Sequence, residues 1–289
     1  MAARQRFIRW LLGGAAAVSA ATTVMIFGFM VVLGLPLVSD GGLVRLFSAP
    51  WHPARGVYGI APMIVGTMAI AGLAMVFGFP VSLGCAALIN GLGRGPLPPL
   101  LLRLVRFMTG IPTVVYGFAG IFLLVPLIRQ WAGRGSGFCI LSAALLLAVL
   151  IAPTMILIFC DSFAAVPPAY RNAAKALGAS PVQCLVYVVM PAAWRGLTGG
   201  VVLAAGRAVG DTLIALMIAG NAAAFPGSLL DPARTLTSHI ALVVAADFDS
   251  LEFRTLFACG IVLYLFTTML VMLVRRVESR PERHRWQEP

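Results

Sequence analysis

The sequence predicts an all-α polytopic membrane protein with six transmembrane helices, and three observations predict it. First, 60% of the 289 residues are hydrophobic and only 11% are charged, where an ordinary soluble domain carries about 25% charged residues. Second, apolar runs of roughly 20 residues or more, enough to cross a hydrocarbon core of about 30 Å, recur along the whole length. Third, the basic residues gather in alternate loops, the pattern of a chain threaded back and forth through a membrane. No stretch is left for a sizeable soluble domain, so residues 1–289 read as a single transmembrane domain.

The predicted spans lie at about 11–38, 60–90, 99–127, 137–160, 196–224 and 254–276. The first follows Arg4, Arg6 and Arg9 and contains "AVSA" before Ala21, which has the form of a secretory leader with a small-residue cleavage site. The apolar run continues well beyond that point, so a retained first span is expected. The loops on the N-terminal side hold Arg4, Arg6, Arg9, Arg94, Arg103, Arg106, Arg171, Lys175, Arg195, Arg275, Arg276, Arg280, Arg283 and Arg285, fourteen in all. The opposite loops hold six, Arg45, Arg55, Arg129, Arg134, Arg234 and Arg254. Both termini are therefore expected in the cytoplasm, with residues 277–289 as a basic cytoplasmic tail. This distribution accounts for most of the +11 net charge and makes lipid, not nucleic acid, the partner of the basic surface. Cys85, Cys139, Cys160, Cys184 and Cys259 are scattered, odd in number and without a C-x-x-C, so they read as small buried hydrophobes and not as disulfide or metal ligands.

Within the spans, polar residues carry the information. In the loop before the second span, Trp51 and Tyr58 read as interfacial anchors, and His52 and His239 as loop residues without companion ligands. In the third span Thr109, Thr113 and Tyr116 fall at i, i+4 and i+7, and Pro112 can bend the helix and free a carbonyl beside them. Such a stripe suits a hydrated path; threonines in spans also serve as helix-packing contacts or bond back to their own helix. In the fifth span "GRAVGDTLIALM" places Arg207 and Asp211 at i and i+4 on one face, beside the G-x-x-x-G of Gly206 and Gly210. A charge at mid-bilayer costs at least about 2.5 to 3.5 kcal/mol, so such residues face a bundle interior with a partner or a function. Two readings follow: a neutralising structural pair, or an arginine fork that receives a passing anion while Asp211 balances it between turnovers.

The longest cytoplasmic loop, 161–195, contains "YRNAAKALGASPVQCLVYVVMP". Pro167 and Pro168 allow a helix start, Gly178 stops it, and Pro181 begins a second helix. Val182, Leu185, Val186 and Val189 sit at helical spacing on one face of the second, and the alanines make a flat surface on the first. A protein groove could receive the pair; an amphipathic connector lying in the interface is the alternative.

This segment is similar to the coupling-loop motif of ABC-importer permeases, E-A-A, three residues, G, nine residues, then I-x-L-P. Ala173, Ala174, Gly178 and Pro191 match at full spacing, while Asn172 stands at the glutamate position and removes its charge. "WHPARGVYGIAPMIVGT", "TGIPTVVYGFAGIFLLVP", "GRAVGDT" and "TLTSHIA" resemble the phosphate-importer permease subunit of the PstC type, over most of the chain from about residue 45 to 275. The resemblance implies an ABC-importer permease fold with its core at about residues 60–276, and inorganic phosphate as the cargo. Molybdate, tungstate or sulfate are the alternatives, since they share tetrahedral geometry. It implies Arg207 and the nearby acid as transport residues, here Asp211 in place of glutamate. It implies that Asn172, Ala173, Ala174, Gly178 and Pro191 form the surface docked on an ATP-binding subunit dimer. A second permease subunit, PstA-like, or an identical copy and an extracytoplasmic phosphate-binding protein complete the set, in the bacterial cytoplasmic (inner) membrane. The chain contains no G-x-x-x-x-G-K-[ST], so it is expected to be a transport subunit and not an enzyme, with no cofactor of its own and ATP and Mg held by the partner ATPase. A secondary transporter would be expected to carry inverted repeats, which are not evident, and a mere anchor would not need the intramembrane arginine and acid.

Overall fold

The computed structural model describes residues 2–34, 42–93, 95–247 and 250–278; the rest of the predicted basic tail, from 279 on, and Arg94 lie outside the described residues. Helix α1 (Ala2–Gly34) is apolar and unburied over most of its length. It touches the bundle along the last long helix, α13 (Leu251–Glu278), where Phe27 stacks on Tyr264 at 4.6 Å. A short helix α2 (Gly42–Ser48) leads to a two-stranded hairpin, β1 (Trp51–His52) against β2 (Val57–Tyr58). The turn between them closes on Gly56 in the left-handed region, φ 68°. This places Trp51 opposite Tyr58 and feeds the chain into α3 (Ala61–Ala87).

The centre of the bundle is α6 (Ile140–Ala164), whose apolar window is 72% buried against 33% or less for the other unbroken spans. Small residues let α3 lie close along it: a side chain at Gly78 would meet Met155 and Ile151. The orphan amides at the start of α6 are satisfied by the loop that follows the fifth span, with Ile140 and Leu141 donating to the carbonyls of Asp231 and Leu229.

Two spans depart from the sequence expectation. The third does not run through 99–127. Helix α4 (Leu97–Thr109) is short and carries Arg103 and Arg106 on its exposed side; the chain turns at Gly110–Pro112, and α5 (Thr113–Ala132) makes the crossing. Pro112 is the cause, since it lacks an amide and excludes its predecessor from helical geometry. The fifth span is broken twice. The short helices α8 (Pro181–Cys184) and α9 (Met190–Ala192), joined by a π-helical turn Leu185–Val189, meet α10 (Trp194–Gly210) at 74°. Helix α10 then stops at Gly210, and α11 (Leu213–Ile218) restarts two residues later. Among the described residues five helices are long and apolar enough to cross a membrane, and the bent pair brings the number to six.

Candidate functional site

Around the second break, five elements converge. Arg207 lies in the last turn of α10, and its Nη1 donates to the Thr154 hydroxyl of α6 at 3.0 Å. Asp211 does not continue the helix face of Arg207: its backbone is extended, φ −70° and ψ 128°. Its carboxylate accepts the Ile214 amide at 2.9 Å and so holds the start of α11. The expected i, i+4 pair is thereby corrected, because the helix that would align the two residues ends between them. Arg207 is near enough for its charge to act on Asp211 and on Tyr116, but Thr154 is its hydrogen-bonding partner. A cleft of about 800 Å³ between α6, α10 and α13 is lined by Thr154, Arg207, Thr267 and Arg275 among others.

Helix α11 is set against α5 by two glycines. A side chain at Gly117 would overlap Met217, and one at Gly120 would overlap Ile218 and Leu146. Tyr116, one turn into α5, donates its hydroxyl to the Met108 carbonyl at 2.9 Å and staples the α4–α5 turn. The threonine stripe is therefore only partly assembled. Thr113 is half-buried at the start of α5, whereas Thr109 lies across the break, exposed, and bonds back to the Arg106 carbonyl.

On the other side of Asp211, the segment "TLTSHIA" forms α12 (Leu236–Val243), opened by a Thr235–Ser238 capping box. The Thr237 hydroxyl donates to the Asp211 carbonyl at 2.8 Å. His239 is not a loop residue but fully buried, and Trp51 is buried against it, edge to face at 4.4 Å, instead of anchoring at an interface. Arg234 can only donate, so the His239 Nδ1 that faces its Nη1 at 3.4 Å is the accepting nitrogen. Nε2 then carries the proton and shares 3.2 Å with the Thr255 hydroxyl. Burial first, then the charge of Arg234, push the His239 pKa down to about 4. Sequence reading missed Thr154, Thr237 and this histidine cluster, because each partner comes from a distant part of the chain.

The helix pair of the long loop takes the expected form. Helix α7 (Pro168–Ala176) ends in a turn at Gly178, φ 81°, and α8 opens with a Ser180–Gln183 capping box. Ala174 is buried, while Asn172, Ala173, Gly178 and Pro191 are exposed, and Leu177 at the tip is 89% exposed. A surface pocket of about 660 Å³ lies between the two helices, lined by Tyr170, Ala173, Leu177 and Tyr187 among others. The valine face is split: Leu185 and Val189 enter the core with Cys184, but Val182 and Val186 stay exposed. The π turn adds a residue to the winding and rotates the face. The guanidinium of Arg171 donates to the Phe163 carbonyl and ties α7 to the last turn of α6.

A bundle of apolar spans with an arginine beside a break in one of them, and with an outlying helix pair on a long loop, is the membrane part of a transporter. The chain belongs to the family of binding-protein-dependent transport system inner membrane components, whose pattern matches residues 78–283. It is 33% identical over 278 residues to the probable ABC transporter permease protein YqgH of Bacillus subtilis, covering 94% of this chain and 90% of that protein. It is 30% identical over 252 residues to the phosphate transport system permease protein PstC of Haemophilus influenzae, covering 80% and 79%. A chain of the bacterial alginate ABC transporter, solved in complex with an alginate pentasaccharide-bound periplasmic protein, superposes with a TM-score of 0.65 at 15% identity over 94% of each chain. That likeness carries the fold alone.

Proposed function

We propose that this chain is the phosphate-translocating permease subunit of an ATP-driven importer, with Arg207 as the residue that meets the anion. The observation that carries the reading is a guanidinium set beside a helix break within a span and held by a neutral hydroxyl, not by a carboxylate. A fork of donors kept on a weak partner is available to a phosphate, and returns to that partner when the anion leaves. Asp211 stays close enough to limit how tightly the anion is held. Likeness to phosphate permeases over four-fifths of the chain supports phosphate as the cargo. Tyr116, close enough to feel the charge of Arg207, and Thr113 at the head of the same helix serve as further pathway residues; Thr109 lies beyond the α4–α5 turn and bonds back to its own helix.

The exposed face of α7 and α8, with Asn172, Ala173, Ala174, Gly178 and Pro191 in or beside it, docks on the ATP-binding dimer, which holds ATP and Mg. A PstA-like permease or a second copy of this chain completes the path, and a phosphate-binding protein delivers cargo on the side of α12. Both termini lie in the cytoplasm. The test is uptake by the complete complex in proteoliposomes, with phosphate, sulfate, molybdate and tungstate each offered on its own binding protein. ATP-dependent accumulation of phosphate supports the reading; accumulation of another oxyanion and not phosphate overturns it.

A further inference from the structure

The α12 turn is built on a cluster of hydroxyls, one of which, Thr237, bonds the transport break. Ser238 donates to the Thr235 carbonyl at 3.1 Å, and the Thr235 and Thr237 hydroxyls lie 3.0 Å apart. The single hydroxyl proton of Thr237 goes to the Asp211 carbonyl, and that of Thr235 lies within reach of both the Ser238 and the Thr237 oxygens, at 3.0 Å each. The cluster is fixed to α3 through the backbone beside it. The Leu236 amide donates to Thr67 at 2.9 Å, and Thr67 donates in turn to the Met63 carbonyl at 2.8 Å. Gly66 lets the chain come so near that any side chain there would strike the Arg234 carbonyl. Arg234 closes the other side on the Asn221 carbonyl at 3.0 Å. Leu242 and Val244, at the end of α12, are left exposed.

We propose that Thr237 is a positioning residue for transport. It holds Asp211 extended from the outer side of the membrane and passes the docking of the external binding protein on α12 to the turn that carries Arg207. An extended residue between two helices has no helical donor for its carbonyl, so Thr237 is what satisfies it, and loss of that donor frees the break to move. This rests on the transport reading above and on α12 lying outside the membrane.

The test uses the complete complex in nanodiscs. Thr237→Val keeps the shape and removes the donor. ATP hydrolysis without binding protein is expected to rise several-fold. Hydrogen exchange at the amides of Ile214 and Leu216 is expected to quicken about five- to tenfold, the effect of one net hydrogen bond. Thr237→Ser restores both. Wild-type exchange and basal hydrolysis in Thr237→Val overturn the proposal, as does a serine variant as defective as the valine one, which would make the methyl group the working part. Should Thr237→Val not assemble, Thr67→Val cuts the anchor to α3 and leaves Thr237 intact; unlocked hydrolysis is expected there, and full dependence on the binding protein overturns the proposal. Neither readout depends on which anion is carried, so failure of the phosphate reading leaves this test standing.

Discussion

His239 makes the α12 segment of this permease sensitive to acid in one direction. It is fully buried, its Nδ1 faces the Arg234 guanidinium, its Nε2 bonds Thr255, and Trp51 closes its edge. The charge of Glu252 acts on Arg234. Burial disfavours the charged imidazole, and protonating Nδ1 would also set two donors and two positive charges against each other, so the pKa falls from 6.5 to about 4. A native pKa below the unfolded one means that the open segment binds a proton the closed one refuses. The closed form therefore loses stability as pH falls from about 6.5 towards 4 and gains nothing above 6.5. The loss amounts to about 2 kcal/mol at pH 5 and about 3 kcal/mol at pH 4. Hydrogen exchange over residues 235–244, corrected for the intrinsic pH dependence of exchange, reads this directly. Protection should fall about 20-fold between pH 7 and pH 5 in the native protein. His239→Gln, which cannot titrate, should show lower protection at pH 7 and no such fall. Equal slopes in the two proteins would refute the assignment of the effect to His239.

Two further outcomes follow from the geometry. Gly178 sits at φ 81° with open space around it, so the constraint there is conformational and not steric. Gly178→Val should cost about 1 to 2 kcal/mol of turn stability and impair ATPase docking, while Gly178→Asn, which tolerates that region, should be milder; co-purification of the ATPase measures both, and equal binding would sink the point. Thr154→Val removes the acceptor that orients Arg207, and should weaken phosphate uptake about three- to tenfold, the net worth of one partly exposed hydrogen bond to a charge. Thr154→Ser should transport near the native rate, and a native rate in the valine variant would show that Arg207 needs no such support.

Much of this architecture was legible because it is written in local chemistry. Pro168, Gly178 and Pro181 mark the helix pair of the long loop, and the structure follows them to within a residue or two. The number of crossings followed from apolar length. What misled was periodicity read across breakers. Thr109 and Thr113 share a helical spacing, yet Pro112 ends the helix between them; Arg207 and Asp211 share one too, yet Asp211 prefers an amide at the head of α11 to a place on α10. Asp competes for backbone amides in this way because its side chain is short. The His239 cluster was illegible for another reason: Trp51, Arg234 and Thr255 come from three separate segments, and only tertiary packing joins them.

The central claim is that Arg207, held by a neutral hydroxyl at a break in a span, is the anion's partner. It is tested most directly by radiolabelled phosphate uptake into proteoliposomes holding the complete complex with Arg207→Gln, scored beside its assembly and ATP hydrolysis. Glutamine keeps hydrogen-bonding capacity and loses the charge, so the complex should assemble and hydrolyse ATP while phosphate accumulation is lost. Accumulation at the native rate in that variant would contradict the account.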